Sequence, residues 1–344
     1  MNQATQNLKE RSKLNVNFED AINTYQTRSF YFTNNYTLLN KNQNYISIIY
    51  NLNYETTNNK YQQEQASFLY GTLSSGLDEI NDHYKFRSLK NVIQLQTKSS
   101  FFDRLIFGYI NYNYNFFEIN QTEEKITGEN SSLFSGSIQK NIGNMKINFD
   151  ITQKIKGQRV GNEIDFILES DFKKKYNFLI NLNLKQSHPG LIYDIFNSDY
   201  SNINFERKNK LKETKSLYIK FNNQSLGKIS FRYLNIVNQF YLTVNSDIQN
   251  KLTPTANQYY DNINLLKVKY NKEIKFGKFS LDNTILFQNV HQQDPIINLP
   301  KFITRNTLYI SEKIFRNVLD IQTGFSLKIF SKFYANEYLS LIHI

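Results

Sequence analysis

Four histidines, His83, His188, His291 and His343, are the residues of this chain best suited to hold a metal or move a proton, and they are scattered. No two stand at the spacing of two or four that places a ligand pair on one side of a strand or helix. The acidic pair Glu123 and Glu124 lies in a polar stretch, where it solvates a turn more readily than it does acid/base work. Asp194, Asn197 and Asp199 make an oxygen-rich turn that lacks the ligand spacing of a calcium loop. With no cysteine at all, disulfide scaffolds, zinc ribbons, iron–sulfur centres and thiol nucleophiles are excluded together. There is no glycine-rich phosphate loop and no nucleophile elbow. The expectation is a protein that is not an enzyme and uses no cofactor.

Charge is what the chain has in excess: 41 Lys and Arg against 30 Asp and Glu, a formal net charge of +11 over 344 residues. The runs Lys173 to Lys175 and Arg207 to Lys210 read as solvated strand ends and loops, so no nucleic-acid partner is expected. About one residue in seven is Asn, well above ordinary globular usage, and the aromatic residues are 28 Phe and 24 Tyr with no Trp.

The elements that must carry these residues are strands. From Met145 to Lys154, Met145, Ile147, Phe149 and Ile151 alternate with Lys146, Asn148, Asp150, Thr152 and Lys154, a clean period of two. Tyr176 to Lys185 repeats it, with Asn181, Asn183 and Lys185 opposite the apolar side, and so does Tyr45 to Glu55. In Leu105 to Phe117 the apolar side is Ile106, Ile110, Tyr112, Tyr114 and Phe116, and the polar side is Asn111, Asn113 and Asn115. Ten further segments read likewise: 28–39, 89–98, 133–140, 163–172, 217–221, 229–236, 264–272, 279–287, 304–311 and 319–330. The total is roughly fourteen strands, many close to the ~9 to 11 residues that cross a bilayer when tilted. The connections are polar: 56–65, 121–132, 156–162, 207–215 and 249–261.

Two architectures accommodate many two-faced strands. A sandwich packs its apolar faces together, whereas a membrane barrel turns them to lipid and keeps the polar side for a water-filled lumen. Nothing in the sequence supplies a second buried layer, and Tyr50, Tyr54, Tyr112, Tyr114 and Tyr176 stand near strand ends as interfacial girdles would, although aromatics are also simply good strand formers. No stretch approaches the ~18 apolar residues of a spanning helix. The fold class expected is all-β, an antiparallel transmembrane β-barrel, incomplete within this chain.

Residues 263–338 carry a resemblance. The segments KEIKFGKFSLDNTILFQNV, LPKFITRNTLYISEKIF and LDIQTGFSLKIFSKFYANEY resemble the putative porin family of Bacteroidota outer membranes, with a weaker echo in LIYDIFNSDYSNINF from Leu191. The resemblance implies a Gram-negative outer-membrane barrel, inserted by the barrel-assembly machinery, and brings no catalytic or ligand motif with it. It also bears on both ends. The hexapeptide from Leu339 to Ile344 is what the transposon end of common sequencing libraries encodes, so 339–344 is expected to be an adapter-derived tail. Residues 1–24 are a polar segment, or part of a strand, with no signal-peptide core, expected to be internal to a longer reading frame. That leaves 25–338 as the partial barrel, a fragment truncated at both ends.

The function expected is passive diffusion of small hydrophilic solutes. By period two, Lys146, Lys154, Lys185, Lys220, Arg232, Lys267, Lys269, Lys278 and Lys328 point inward against Glu55, Asp150 and Asp282, with Asn111, Asn113, Asn181 and Asn183 as further pore-lining candidates. A basic lumen favours anions weakly; the alternative is that these lysines sit at strand ends or balance lipopolysaccharide phosphates. Two other functions stay open, the barrel of an energy-coupled (TonB-dependent type) transporter and a surface-binding β protein. Membrane lipid, lipopolysaccharide and the solutes are the expected partners, and the oligomeric state is open.

Overall fold

The computed structural model describes residues 20–334, apart from 42–43, 65–72, 75, 122–123, 173–175, 189, 191–192, 201–203, 207, 247–251 and 317. Among the described residues there is no helix, and none long and apolar enough to cross a membrane. The strands are β1 (Ala21–Lys41), β2 (Asn44–Gln63), β3 (Ile80–Lys98), β4 (Arg104–Ile119), β5 (Glu124–Ile142), β6 (Met145–Lys156), β7 (Glu163–Phe172), β8 (Tyr176–Ser187), β9 (Ile195–Phe196), β10 (Phe205–Glu206), β11 (Lys212–Asn223), β12 (Gly227–Val237), β13 (Gln239–Ser246), β14 (Leu252–Tyr259), β15 (Ile263–Phe276), β16 (Phe279–His291), β17 (Phe302–Ile314) and β18 (Leu319–Phe330).

Fourteen of them form one antiparallel meander in the order β1-β2-β3-β4-β5-β6-β7-β8-β11-β12-β15-β16-β17-β18, and each of the fourteen segments read from the sequence falls inside one of these strands. The pairs β9/β10 and β13/β14 are small separate hairpins inside the two longest connections. Connections alternate sharply. At one end they are 2, 5, 2, 3, 3, 2 and 4 residues long; at the other, 16, 4, 6, 24, 25 and 10. Short turns on one side and longer loops on the other are the arrangement of outer-membrane barrels. Two of the shortest turns use Gly143 (φ 58°) and Gly277 (φ 63°), where a two-residue hairpin demands the left-handed conformation that glycine adopts without strain.

Because directly paired residues share a face, the register carries each face from strand to strand. One row runs Ile138, Phe149, Phe166, Leu182, Leu217, Tyr233, Leu266, and its neighbour Ile180, Ile219, Phe231, Val268, Phe287, Phe302. The side chains of these rows remain substantially exposed, Leu182 at 47% and Phe287 at 45%, as a surface that meets hydrocarbon must be. On the opposite face the row Lys146, Glu169, Leu179, Lys220, Ser230, Lys269, Leu286 is mostly polar.

The register corrects the sequence reading of β4. Asn111 and Asn113 pair with Asn91 and Leu89 and fall in the column of Ile93, Tyr109 and Phe134, on the outward face with Leu105 and Phe107, while Ile106, Ile110, Tyr112, Tyr114 and Phe116 turn to the polar face with Tyr84 and Phe86. Tyr112 and Tyr114 therefore belong to no lipid-facing girdle, whereas Tyr50, Tyr54 and Tyr176 do lie in outward columns. Both sides of the lower half are apolar, Leu105, Phe107 and Tyr109 against Ile106 and Ile110, and in the upper half the cause is length. Strands β1 to β5 run 16 to 21 residues against 10 to 14 for the other sheet strands, so their loop-side ends extend beyond any bilayer, and there the outward face meets water. The same extension converts most of 56–65 and of 121–132 from connection to strand, because a backbone ladder continues without an apolar stripe. Likewise 249–261 contains β14, and β11 begins at Lys212.

Above the membrane the outward face is knit by amides. Asn111 Nδ2 donates to Asn130 Oδ1 at 3.0 Å, Asn113 Nδ2 to Asn111 Oδ1 at 2.9 Å, and Asn235 Nδ2 to Asn264 Oδ1 at 2.9 Å. The buried apolar residues, among them Ile80, Tyr114, Phe116, Tyr200, Ile236, Tyr259 and Ile263, gather at the loop end, where loops fold against the polar face.

Phe149 stands in the middle of the lipid-facing row and Asn148 beside it faces the other way. Phe149→Arg should cost about 2–4 kcal/mol if it sits near the bilayer midplane, and heat-modifiable gel mobility after folding into liposomes should show a lost folded fraction. Asn148→Arg should leave that fraction near wild type; equal damage from both would contradict the faces described.

Candidate functional site

The polar face holds two distinct structures, a charged wall in the membrane-spanning half and a tucked segment at the loop end. Ten residues expected from the sequence to line a pore share this face: Lys146 and Lys154 on β6, Asn181, Asn183 and Lys185 on β8, Lys220 on β11, Arg232 on β12, Lys267 and Lys269 on β15, and Lys328 on β18. Asn111 and Asn113 do not. Lys278 occupies the β15–β16 turn, where its Nζ lies 2.5 Å from Glu312 Oε1, so it belongs to the short-turn rim rather than to the wall.

On β7 and β8 carboxylates outnumber cations, with Glu163, Asp165, Glu169 and Asp171 standing inward beside Lys185. Lys185 Nζ meets Glu163 Oε2 at 3.0 Å, Asn183 Nδ2 donates to Glu163 Oε1 and Asp165 Oδ1, both at 3.0 Å, and Asn181 Nδ2 donates to Asp165 Oδ1 at 2.7 Å. Glu163 and Asp165 escaped the sequence reading, although the same period of two that placed Lys185 places them. On β16 and β17, Asp282 takes a bond from Asn271 Nδ2 at 3.0 Å and faces Arg305 at 3.8 Å. Arg232 lies over the ring of Tyr218, its directly paired neighbour, at 4.6 Å.

The tucked segment comes from the 188–211 connection between β8 and β11 and docks on β3 to β5, several strands away. Tyr84 is stacked between Phe116 (6.1 Å) and Phe196 (5.3 Å), and its hydroxyl donates to the carbonyl of Asn197 at 2.7 Å. Asp199, fully buried, accepts from the backbone N–H groups of Asn81 (2.8 Å) and Gln121 (3.0 Å) and from Gln121 Nε2 (3.2 Å), pinning the ends of β3 and β4 to the segment. Asp82 in turn accepts from Ser198 Oγ (2.5 Å) and from the N–H of Asp199 (2.8 Å). Both carboxylates thus meet the rule that a buried acceptor needs a donor.

A second clamp holds the segment's start. Arg159, on the β6–β7 connection, donates from Nε to Asp194 Oδ2 at 3.0 Å and from Nη1 to the Tyr114 hydroxyl at 2.9 Å. His188 Nε2 lies 2.7 Å from the same Asp194 oxygen, and Asn209 Nδ2 donates to the other at 2.8 Å. Glu129 gathers Ser131 Oγ, the N–H groups of Gln158 and Arg159, and the Tyr114 hydroxyl. The His188–Asp194 pair is six residues apart in sequence, a spacing that belongs to no regular element and carries no signal. The second long loop joins the first: Gln258 exchanges bonds with the backbone of Lys210, and Phe240 packs on Tyr193 at 5.7 Å.

The two clamps titrate in opposite directions. Burial pushes the Asp82 carboxyl up to about 7, against the bonds from Ser198 and Asp199 N–H, and the charge of Asp199 adds to the rise. Burial also pushes Asp194 up, but the bonds from His188, Asn209 and Arg159 outweigh it and hold that carboxyl below its ordinary value. Among the described residues no group of three or more His, Asp or Glu side chains is arranged to hold a metal ion.

Solved structures with this fold are outer-membrane proteins. The copper transporter OprC superposes with a TM-score of 0.59 at 8% identity over 86% of this chain and 51% of that one. The siderophore receptor PirA from Acinetobacter baumannii gives 0.56 at 8% identity over 84% and 48%, and PirA from Pseudomonas aeruginosa 0.50 at 8% over 90% and 63%. The chain therefore spans about half the length of the first two. At such identity the likeness establishes the fold alone, an outer-membrane β-barrel. No curated protein matches the sequence. A family model described as putative porin matches residues 1–343.

For Asp82 the folded pKa lies above the ordinary carboxylate value, so the docked state binds more protons between about pH 4 and 7 and loses stability as pH rises through that window. For Asp194 the folded pKa is lowered, and its contribution is lost only as pH falls below the ordinary carboxylate range. Limited proteolysis of the 188–211 segment should accordingly be slower at pH 5 than at pH 8. Asp82→Asn should flatten that difference, and a persisting difference would remove Asp82 as its source. Asp199→Ala, which strands buried donors, should weaken docking by about 1–3 kcal/mol at either pH.

Proposed function

Because the chain belongs to the putative porin family, we propose that it forms the wall of an outer-membrane channel through which small hydrophilic solutes diffuse passively. The observation that carries this reading is the division of the membrane-spanning part of one meander, from β6 onward, into a largely apolar face and a largely polar one. Paired rows on the first suit lipid, and paired rows on the second, amide-rich and charged, suit a water path. Selection would then be by size and charge, with no bond made or broken.

Each part of the polar face has a role in this reading. The tucked 194–200 segment narrows the path at the loop end, because it lies against the polar face of β3 to β5 rather than outside it. The wall below it is richer in cations than in carboxylates, which favours anions. The outward residues meet membrane lipid, and the amide-laced extensions of β1 to β5 stand in the lipopolysaccharide layer. Insertion would use the barrel-assembly machinery. The barrel of an energy-coupled transporter is the second reading, favoured by the shape shared with a siderophore receptor and a copper transporter.

The test is conductance of the gene's full product in a planar bilayer. Stepwise openings are expected, with a reversal potential in a potassium chloride gradient that reports chloride over potassium. Cation selectivity would reject the anion preference, and a barrel that inserts but stays silent would reject the passive channel in favour of a plugged transporter.

A further inference from the structure

Three adjacent strands of the polar face carry a group of cations that the protein leaves unneutralised. Along β11, β12 and β15 the register gives three consecutive rows: Tyr218, Arg232, Lys267; then Lys220, Ser230, Lys269; then Asn222, Lys228, Asn271. Five of these nine positions are Lys or Arg and none is acidic. Within the same rows the flanking strands add no carboxylate: Asn181, Leu179 and Asn177 stand beside them on β8, and Gln288, Leu286 and Thr284 on β16, with Asp282 one step beyond, bonded to Asn271 and facing Arg305. No ion pair involves any of the five cations among the described residues. From the strand spacing, the five charges occupy an area of roughly 10 by 14 Å.

Such a group is expensive. Arg232 and Lys267 are directly opposed across the β12–β15 pair, a like-charge arrangement that destabilises a sheet. The rest of the wall shows that the fold readily supplies partners, since Lys185 has Glu163 and Arg305 has Asp282. The guanidinium of Arg232 is also held in place over Tyr218, so its donors are presented rather than mobile. Beside the lowest row lies a cavity of about 840 Å³, enough room for a small solute, bordered by Asn222, Lys228, Asn271 and Arg305 and, on its far side, by Glu273 and Asp282.

We propose that this patch is a binding station for a multivalent oxyanion, a solute bearing phosphate groups, seated on Arg232 and Lys267 with Lys220, Lys269 and Lys228 around it. Arg and Lys donors match phosphate oxygens in charge and geometry, and a water-filled path walled by protein strengthens the attraction relative to open solvent. The station extends the channel reading and rests on it: a diffusing phosphorylated solute would pause here and be drawn past the tucked segment. Lipopolysaccharide phosphates are a different source of the same chemistry, and the placement disfavours them. The patch lies behind the lipid-facing row Ile229, Phe231 and Tyr233, and its third row adjoins the three-residue β11–β12 turn, at the end away from the long loops.

The experiment uses the full gene product in a phosphatidylcholine bilayer free of lipopolysaccharide, so that only soluble anion supplies phosphate. Pyrophosphate added to a chloride-conducting channel should block current in a saturable way. The double variant Arg232→Gln/Lys267→Gln should raise the half-blocking concentration about tenfold, whereas Lys90→Gln, on the polar face of β3, should leave it unchanged. The double variant should also unfold at the same or a higher temperature, since it removes a like-charge contact. No block, or equal block in the double variant, would overturn the station while leaving the channel standing. If the protein conducts nothing, the channel reading falls and the station is judged by binding. Pyrophosphate should then raise the unfolding temperature of the detergent-solubilised protein but not of the double variant, and no rise would overturn it. Block that needs added lipopolysaccharide would assign the cations to the lipid instead.

Discussion

A peptide group inside hydrocarbon has no water to bond to, so every N–H and C=O of a membrane-crossing strand must find its partner on a neighbouring strand. That requirement explains the plainness of the sheet. Between its two edges, β1 and β18, each strand of the sheet pairs with the one before and after it, turns on one side shrink to a few residues, and the two hairpins that leave the sheet do so inside long connections at the other end. Once pairing is obligatory, side chains alternate between lipid and water, and each residue's face is inherited from its paired neighbours rather than chosen locally. The rows of Phe, Ile and Leu on one side and of Lys, Asn and Glu on the other are the chemical record of that inheritance.

The two solvents also explain the composition. Outward positions within the membrane are apolar, and outward positions above it are amides that bond to one another, as Asn111, Asn113 and Asn130 do. An uncharged amide ladder satisfies a wet sheet surface without adding to a net charge already at +11. Inward positions hold the charges, with carboxylates in excess on β7 and β8 and cations left open on β11, β12 and β15.

How much of this is legible in the sequence divides along the same physical line. Wherever a strand crosses the bilayer, period two announces it, and all fourteen sheet strands are visible that way. Which side faces lipid is a different question, since alternation only says that two sides differ. On β6 and β8 the apolar side is the lipid side and the reading holds. On β4 the side read as lipid-facing turns inward: Phe116 stacks on Tyr84, which carries Phe196 from far along the chain, and Tyr114 takes a bond from Arg159, contacts that no local pattern encodes. The tucked segment itself lies within the short stretch LIYDIFNSDYSNINF that carried a weak family echo, yet its role depends on Asp199 reaching the backbone of Asn81 and Gln121, which only folding brings near.

The docked segment has a consequence for the order of events during assembly. A meander can be laid down hairpin by hairpin, since each strand touches little besides the strands next to it in the sheet order. The segment breaks that locality: it emerges after the eighth strand and returns to the third, fourth and fifth, so its bonds cannot form until more than half of the sheet is in place. Until then Tyr84, Tyr114 and Phe116 present an uncovered aromatic surface on the inner wall, alongside carboxylates that still lack their donors. The docking of residues 194–200 thus works as a completion mark, separating a chain that has folded past its midpoint from one that has stalled before it.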